Sequence, residues 1–243
     1  MARAKAVLFD MGGTLWYVAA PPDIDEVFRL QSEQVRPLMQ EWGAGDVDPS
    51  TFLRQLWEEI DQEYRNADLR DPDVLALIEQ AFASHGIEVS RPRCEELWQR
   101  SYISSRYFGW TLFPDTADTL RALRELSVGV AIVTNRPHTS ALFRRDLQEY
   151  QLAQLVDAVV CSADVGYVKP HAAPFERALE MLGVAPGETV MVGDSLEADI
   201  SGAKALGLTT VWKTALSDDE LMTYEADYTI SELAELLMLG LFL

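Results

Sequence analysis

The chain reads AVLFDMGGTL over residues 6–15, where an apolar run ends at Asp10 and a turn with two adjacent glycines follows. A short apolar run bounded by a turn predicts a buried strand. Asp10 would lie at the carboxyl end of that strand, which is where open α/β sheets bind their ligands. Gly12 and Gly13 allow the backbone to turn tightly beside the carboxylate. The stretch therefore predicts an α/β fold with a functional carboxylate at the edge of its sheet.

Strand-like and helix-like segments alternate along the chain outside residues 17–110. Apolar, β-rich runs predict strands at residues 5–9, 128–133, 155–161, 189–192 and 208–212, with a short edge strand at 228–230. Amphipathic spacing predicts helices at residues 115–126, 174–182 and 197–206. This alternation predicts a doubly wound, mostly parallel, Rossmann-like sheet with helices on both faces.

Residues 17–110 differ, because they show helical periodicity and contain no convincing strand. The predicted helices cover residues 23–42 and begin again at Asp48, Asp71 and Ser90. Four amphipathic helices with short links predict a four-helix bundle. We therefore expect two domains, a Rossmann-like catalytic core of residues 1–16 and 111–243 and an inserted helical cap domain of residues 17–110.

The composition limits the partners of the protein. The formal net charge of the 243 residues is -19, and such a surface repels nucleic acid and anionic membranes. No apolar run reaches the roughly 18 residues of a membrane helix, and because the first residues lead straight into a predicted strand, we expect no signal peptide. Cys94 and Cys161 are far apart and belong to no metal-binding pattern. We therefore expect a cytoplasmic protein with a small-molecule substrate.

The last residues, 236–243, are strongly apolar. They are too few to span a membrane. We expect them to pack on the body of the protein or in a dimer contact, so the expected assembly is a monomer or a homodimer.

Four short segments with chemically capable side chains fall after predicted strands. They are residues 10–15, Thr134-Asn135, Lys169-Pro170, and the turn and helix start that contain Asp194, Ser195 and Asp199. Paired carboxylates with open positions suit Mg²⁺, strand-end hydroxyl and amide groups suit an oxyanion, and a lysine beside carboxylates neutralises them and holds phosphate. Each segment alone also fits an ordinary turn, loop or helix cap. Their convergence at one sheet edge is what indicates a site.

Taken in order, these segments resemble the four motifs of the haloacid dehalogenase (HAD) superfamily. The likeness extends over essentially the whole chain and includes a helical cap inserted after the first motif. The resemblance implies that Asp10 is a nucleophile that forms an aspartyl ester or an aspartyl phosphate. It also implies that Thr134, Asn135 and Lys169 bind the transferring group, and that Lys169 steadies Asp10.

The same resemblance implies a Mg²⁺ site. Its ligands would be Asp10, the main-chain carbonyl of Gly12 and Asp194. Ser195 and Asp199 would support these ligands from behind.

Gly12 departs from the pattern of the family phosphatases, in which this position usually carries a second aspartate. That aspartate protonates the leaving oxygen and then deprotonates water, and such general acid–base help is typically worth about 10²–10⁴-fold. Gly12 keeps the carbonyl that the metal needs and lacks the group that transfers the proton. The departure therefore bears on the reaction more than on the metal site.

Three functions are compatible with this departure. The favoured one is a Mg²⁺-dependent phosphatase acting on a small phosphorylated metabolite. Its leaving group would need little protonation, or the proton would come from a cap residue, the substrate or His171. The second is a 2-haloacid dehalogenase, because halide leaves without a proton; Asp194 argues against it, since the family dehalogenases work without metal and lack that acidic site. The third is a non-catalytic homologue that binds Mg²⁺ and a phosphorylated ligand.

Two further features bear on these alternatives. A Schiff-base mechanism like that of the family phosphonatases lacks a candidate lysine in the cap, because no lysine lies between Lys5 and Lys169. His138 and His171 lie near the predicted site in sequence and are able to move a proton at neutral pH. For both, an exposed loop histidine is the expected state. Nothing in the predicted cap identifies the substrate.

Overall fold

The computed structural model describes residues 3–65, 68–214 and 224–242. The chain forms two compact units, Met1–Tyr17 with Thr111–Leu243 and Val18–Trp110. The first unit contains a parallel sheet, and the second is helical. The division of roles between a catalytic core and a cap stays a prediction.

Eight strands lie within the described residues. They are β1 (Ala6–Phe9), β2 (Trp16–Val18), β3 (Trp110–Leu112), β4 (Gly129–Thr134), β5 (Ala158–Cys161), β6 (Thr189–Gly193), β7 (Thr209–Lys213) and β8 (Tyr228–Ile230). Six of them form one sheet in the order β5-β4-β1-β6-β7-β8, and every neighbouring pair is parallel. The predicted Rossmann-like α/β fold is confirmed.

Nine α-helices lie within the same parts of the chain. They are α1 (Ile24–Glu41), α2 (Pro49–Tyr64), α3 (Val74–Ser84), α4 (Arg91–Arg100), α5 (Thr116–Glu125), α6 (Ser140–Glu149), α7 (Ser162–Val165), α8 (Ala172–Leu182) and α9 (Gly202–Ala205). A π-helical segment, Leu196–Ser201, leads directly into α9. Short 3₁₀ turns occur at Ser105–Phe108, Ala153–Leu155, Pro186–Glu188 and Leu233–Met238.

The strand order reverses between β1 and β6, which lie side by side at the centre of the sheet. Open α/β sheets bind ligands outside the carboxyl ends of their strands at such a point. In the register of the sheet, Phe9 pairs with Ile132 of β4 and with Val192 of β6. The residues that follow these three strands therefore meet at one edge, and Asp10 is the first of them.

Both faces of the sheet are buried. All four residues of β1 have no exposed surface. Ala131 and Val133 of β4 share a core cluster with Phe175 and Leu179 of α8, and Ile132, which points to the opposite face, is equally buried. Central parallel strands covered on both faces read as continuous apolar runs, which is why residues 6–9 carry so clear a signal.

The helical unit has its own apolar core. Helices α1 to α4 contribute large side chains to it, among them Phe52, Leu56, Ile78, Phe82 and Trp98. Asp23, Asp48 and Asp73 cap α1, α2 and α3 by accepting a hydrogen bond from a backbone N–H in the first turn. Ser90 precedes α4 without a side-chain cap bond.

Some local features differ from the predictions. The strands β2 and β3, at the two ends of residues 17–110, were not expected, and helix α6 was not identified either. The helix predicted over 197–206 begins with the π-helical segment. The predicted strand over 155–161 is confined to Ala158–Cys161, and its first predicted residue belongs to a 3₁₀ turn, Ala153–Leu155.

The apolar tail packs within its own unit. Leu236, Leu241 and Phe242 are buried, and the Ala4 N–H donates to the Leu241 carbonyl at 2.8 Å. The last residue of the tail, Leu243, lies outside the described residues. Within those residues, no helix combines the length and the hydropathy that a membrane crossing requires.

Candidate active site

Asp10 stands at the carboxyl end of β1, at the point where the strand order reverses. Its N–H donates to the Val192 carbonyl of β6 at 2.9 Å, so its backbone continues the pairing of the sheet by one residue. The residue is 8% exposed. The turn after it closes through two hydrogen bonds to the Met11 carbonyl, from the N–H groups of Leu15 and Trp16 at 2.9 and 3.1 Å. The sheet and the turn together fix where the Asp10 carboxylate can lie.

Lys169 is the hub of the site. Its ammonium donates to Asp10 Oδ1 at 2.6 Å, to Asp199 Oδ1 at 2.6 Å and to the Val133 carbonyl at 2.8 Å. An ammonium has three donors, so all of them are engaged. Burial opposes the charge, but the two carboxylates outweigh it and raise the pKa of Lys169 above its usual range. Lys169 therefore ties Asp10 to Asp199 and to the end of β4.

Asp199 supports this arrangement from the π-helical segment. Its Oδ1 accepts from Lys169, and its Oδ2 accepts from the Ser195 N–H at 3.1 Å. The backbone of Gly193 approaches so closely that a Cβ there would lie 2.3 Å from Asp199 Cγ. Ser195 caps the segment by accepting from the Ala198 N–H at 3.0 Å. With both oxygens engaged, Asp199 positions Lys169 and the turn after β6.

Asp194 follows β6 and lies against the first turn. A Cβ built on Gly13 would lie 2.0 Å from Asp194 Oδ2, and Gly13 has a φ of +70°. Both the contact and the backbone conformation therefore require glycine at this position. Trp212 of β7 fixes Asp194 from the other side, because its indole Nε1–H donates to the Asp194 carbonyl at 2.8 Å.

Asp10, Asp194 and Asp199 form a carboxylate cluster. One oxygen from each lies within 4.8 Å of the others. Burial, followed by the charges of Asp10 and Asp199, raises the pKa of Asp194 above its usual range. A single ammonium, that of Lys169, does not neutralise three carboxylates, so a divalent cation bound by oxygen ligands would relieve the remaining repulsion. The donor set fits Mg²⁺, with Asp10, Asp194 and the carbonyl of Gly12 as the groups able to hold it.

The predicted phosphate-binding residues occupy the neighbouring strand end. Thr134 is the last residue of β4 and is buried. Asn135 follows it, and its side chain is bound to the backbone of Lys169: the Lys169 N–H donates to Oδ1 at 2.8 Å, and Nδ2 donates to the Lys169 carbonyl at 3.2 Å. Asn135 therefore anchors the lysine segment, and the assignment of Thr134 and Asn135 to phosphate binding stays a prediction.

Neither candidate histidine is a free loop residue. His138 is buried, so the expectation of exposure was wrong for it, and burial followed by the charge of Arg136 lowers its pKa well below the usual range. His171 accepts the Ala173 N–H on Nδ1 at 3.1 Å and stacks on Tyr167 with 3.9 Å between ring centroids. Through that bond, the ring of His171 caps the N-terminus of α8.

Lys213 is a site residue to which the sequence analysis assigned no role. It is the last residue of β7, and its ammonium donates to the Gly13 carbonyl at 3.3 Å. The signal was available, because Lys213 follows the predicted strand 208–212 in the same way that Asp10 follows 5–9. This position alone did not indicate a role, because the groups beside a strand-end lysine are known only when the neighbouring strand is known.

Comparison with known proteins gives the family. The sequence model of the haloacid dehalogenase-like hydrolases matches residues 4–207. The chain belongs to this family. It is 44% identical over 244 aligned positions to the glyceraldehyde 3-phosphate phosphatase of Pyrococcus furiosus. That alignment covers 98% of this chain and 93% of the relative. It is 38% identical over 144 residues to the ribulose-1,5-bisphosphate 5-phosphatase of Halopiger xanaduensis. That second match spans 56% of this hydrolase and only 59% of the relative.

Solved structures show the same architecture. The HAD phosphatase of Thermococcus onnurineus superposes with a TM-score of 0.55 and 28% identity, over 97% of this chain and 98% of that one. A 2-haloacid dehalogenase of Pseudomonas syringae superposes with a TM-score of 0.62 and 23% identity, over 97% of each chain. At that identity the dehalogenase shows the fold alone, so the chemistry of this HAD-like hydrolase rests on its own residues.

Proposed function

We propose that this HAD-like hydrolase is a Mg²⁺-dependent phosphatase that cleaves monoesters of small phosphorylated metabolites, with Asp10 as the nucleophile. The observation that carries the proposal is the pairing of Asp10 Oδ1 with a saturated, buried ammonium at 2.6 Å, beside a second carboxylate at Asp194. The contact fixes the Asp10 carboxylate beside a positive charge and leaves its second oxygen for attack, which suits a carboxylate nucleophile. The names of the relatives support a phosphorylated substrate.

The reaction would proceed in two displacements. A carboxylate oxygen of Asp10 attacks phosphorus, the bond to the ester oxygen breaks with its electron pair on that oxygen, and an aspartyl phosphate forms. Water then attacks the aspartyl phosphate, which releases inorganic phosphate and restores the carboxylate. Lys169 holds Asp10 in the attacking orientation throughout, and Asp199 holds Lys169.

Asp10, Asp194 and the carbonyl of Gly12 would hold Mg²⁺. When bound, the ion supplies positive charge to the oxygens of the transferring phosphoryl group. We further propose that the helical unit, residues 18–110, serves as the cap that selects the substrate, in keeping with the position of its insertion after β1. The dehalogenase alternative is disfavoured by the carboxylate cluster, which a metal-free displacement of halide does not need.

Hydrolysis of p-nitrophenyl phosphate by the purified protein tests this proposal. We expect turnover with Mg²⁺, a loss of about 10²-fold or more in excess EDTA, and recovery when Mg²⁺ is returned. Rapid quenching and mass spectrometry should find a phosphoryl adduct on the peptide that contains Asp10. Chloride release from 2-chloropropionate, equal with and without EDTA, would support a dehalogenase instead. Tight binding of a phosphorylated ligand without any adduct would support the non-catalytic alternative.

Gly13→Ala tests the close approach of the first turn to Asp194. The added Cβ would overlap Asp194 Oδ2, so the carboxylate must move, and displacements of about 1 Å at a catalytic site cost on the order of 10²-fold. We expect that loss in turnover, with weaker Mg²⁺ binding by calorimetry. Gly183→Ala is the matched control, because Gly183 has a similar φ of +66° and no heavy atom within 4 Å of a built Cβ. Equal activity losses in the two variants would contradict the steric explanation.

A further inference from the structure

Lys213 carries a buried positive charge at the edge where the reaction would occur. The residue is 1% exposed. Its ammonium lies 3.3 Å from the centroid of the Phe113 ring and donates to the Gly13 carbonyl at 3.3 Å. The aromatic face compensates part of the lost hydration of the cation. Two of its three donors therefore have no hydrogen-bond acceptor among the described residues.

The other lysines of the chain are differently placed. Lys5, Lys169 and Lys204 each have a carboxylate oxygen at 2.7, 2.6 and 3.3 Å, respectively. Within the described parts of the chain, Lys213 has no such ion pair. Burial lowers the pKa of Lys213 to about 8, against the opposing charges of Asp115 and Asp194. A buried lysine without an ion pair is costly to a fold, and this one lies next to the catalytic turn.

Space is available beside this side chain. Lys213 lines a cavity of about 410 Å³. The other lining residues are Phe113, Pro114, Asp115, Ser231 and Glu232. The lysine therefore borders this cavity, although almost none of its own surface is open to solvent.

The reaction needs a proton donor that the turn does not provide. An alkoxide is a poor leaving group, and protonation of the departing oxygen by a positioned acid is typically worth about 10²–10⁴-fold. Gly12 has no side chain, Asp10 is the attacking group, and both oxygens of Asp199 are engaged. The three donors of Lys169 are already engaged by protein acceptors. Lys213 contacts the carbonyl of the residue next to Gly12.

We propose that the ammonium of Lys213 protonates the leaving-group oxygen, in place of the side chain that residue 12 lacks. The inference rests on the proposed function and deepens it. In the first displacement the ester bond to phosphorus breaks, its electron pair stays on the departing oxygen, and a proton from Lys213 Nζ forms the alcohol. In the second, the protons of the attacking water stay on the released inorganic phosphate, and the neutral amine regains its proton from solvent, which restores the ammonium.

Leaving groups of different basicity test the proposal. Lys213→Met should lower kcat for an alkyl ester such as glycerol 3-phosphate by about 10²-fold or more. Turnover of acetyl phosphate, whose leaving group needs no proton, should change little. Lys213→Arg keeps the charge but does not give up its proton readily, because the pKa of a guanidinium lies far above neutral pH. Lys213→Arg should show the same selective loss of alkyl ester turnover. It keeps the test decisive if Lys213→Met folds poorly.

Two controls separate catalysis from structure. Lys204→Met removes a lysine outside the site, whose ammonium pairs with Asp227, and should leave both substrates unaffected. Adding Gly12→Asp to Lys213→Met should restore alkyl ester turnover, because a carboxyl group then occupies the position beside Gly13. The φ of Gly12 lies outside the left-handed region, so a side chain there is compatible with the backbone.

The pH dependence provides an independent readout. Only the ammonium form donates, so wild-type turnover of the alkyl ester should fall as pH rises through about 8, whereas turnover of acetyl phosphate should not. The charged groups around Lys213 are Asp115 after β3, Asp194 after β6 and Glu232 in the same cavity. Equal losses on both substrates in Lys213→Met and Lys213→Arg would overturn the inference and leave the phosphatase intact. If the wild type turned over neither the alkyl ester nor acetyl phosphate, both this inference and the proposed phosphatase function would be overturned.

Discussion

Asp10→Asn is expected to abolish ester hydrolysis, with kcat lowered by at least about 10⁴-fold, as for other removals of a catalytic nucleophile. The amide is neutral and a poor nucleophile, so no aspartyl phosphate forms. The fold should survive, because the amide oxygen still accepts from Lys169 and the substitution removes one negative charge from a crowded cluster. Burst kinetics and mass spectrometry of the quenched enzyme measure the effect directly.

A matched substitution distinguishes the nucleophile from a general charge effect. Asp118→Asn removes the same charge from a side chain that is 83% exposed, and it should leave turnover unchanged. Retained binding of a phosphorylated ligand by Asp10→Asn, with turnover lost, would locate the defect in chemistry rather than in recognition. If Asp10→Asn still turned over p-nitrophenyl phosphate at the wild-type rate, direct attack by water would replace the covalent mechanism.

The sheet and most of the site follow from the sequence for a physical reason. Central parallel strands are apolar on both faces, so residues 6–9 and 189–192 are visible as continuous runs. Polar residues that end such strands must lie at one edge, so strand periodicity brings Asp10 and Asp194 together, and the convergence of several such segments predicts a site there. Lys169 supports the same predicted site, because lysines are rare in this acidic chain and this one lies in a segment after a predicted strand.

The features that were not predicted depend on contacts distant in sequence. Helix α6 was missed because its fully buried apolar positions are few, chiefly Phe143 and Leu147. His138 was expected to be exposed because it lies in a predicted loop. The sequence does not show which distant residues cover that loop. The proposed role of Lys213 depends on β7 lying beside β6 in the sheet. The periodicity of the sequence does not predict which strands are neighbours.

The two glycines of the first turn illustrate the same limit. Sequence alone assigns both to turn flexibility. In the structure, Gly13 has a positive φ and leaves no room for a Cβ beside Asp194, whereas Gly12 has an ordinary φ. Gly13 is thus required by the fold. Gly12 is not required by the backbone conformation in this way. Under the proposed function, the side chain that Gly12 lacks makes a proton donor from elsewhere in the chain necessary.

Lys169→Met should produce the largest loss of stability of any single substitution in the site. Removal of one partner from a buried ion pair typically costs about 3–5 kcal/mol, and Lys169 serves both Asp10 and Asp199. Without it, two buried carboxylates and the half-buried Asp194 repel one another with no cation between them. Urea denaturation at neutral pH in the presence of EDTA measures the loss.

The pH dependence of that loss identifies its cause. In the variant, burial without a counter-charge raises the folded-state carboxyl pKa above the unfolded value of about 4. The folded state then binds more protons than the unfolded state between these values, so stability falls as pH rises through that window. The deficit should therefore be full at pH 8 and shrink as pH falls toward 5. Lys204→Met, which breaks a half-exposed pair, should cost at most about 1 kcal/mol at either pH. A deficit in Lys169→Met that is the same at pH 8 and pH 5 would point to lost packing rather than unpaired charge.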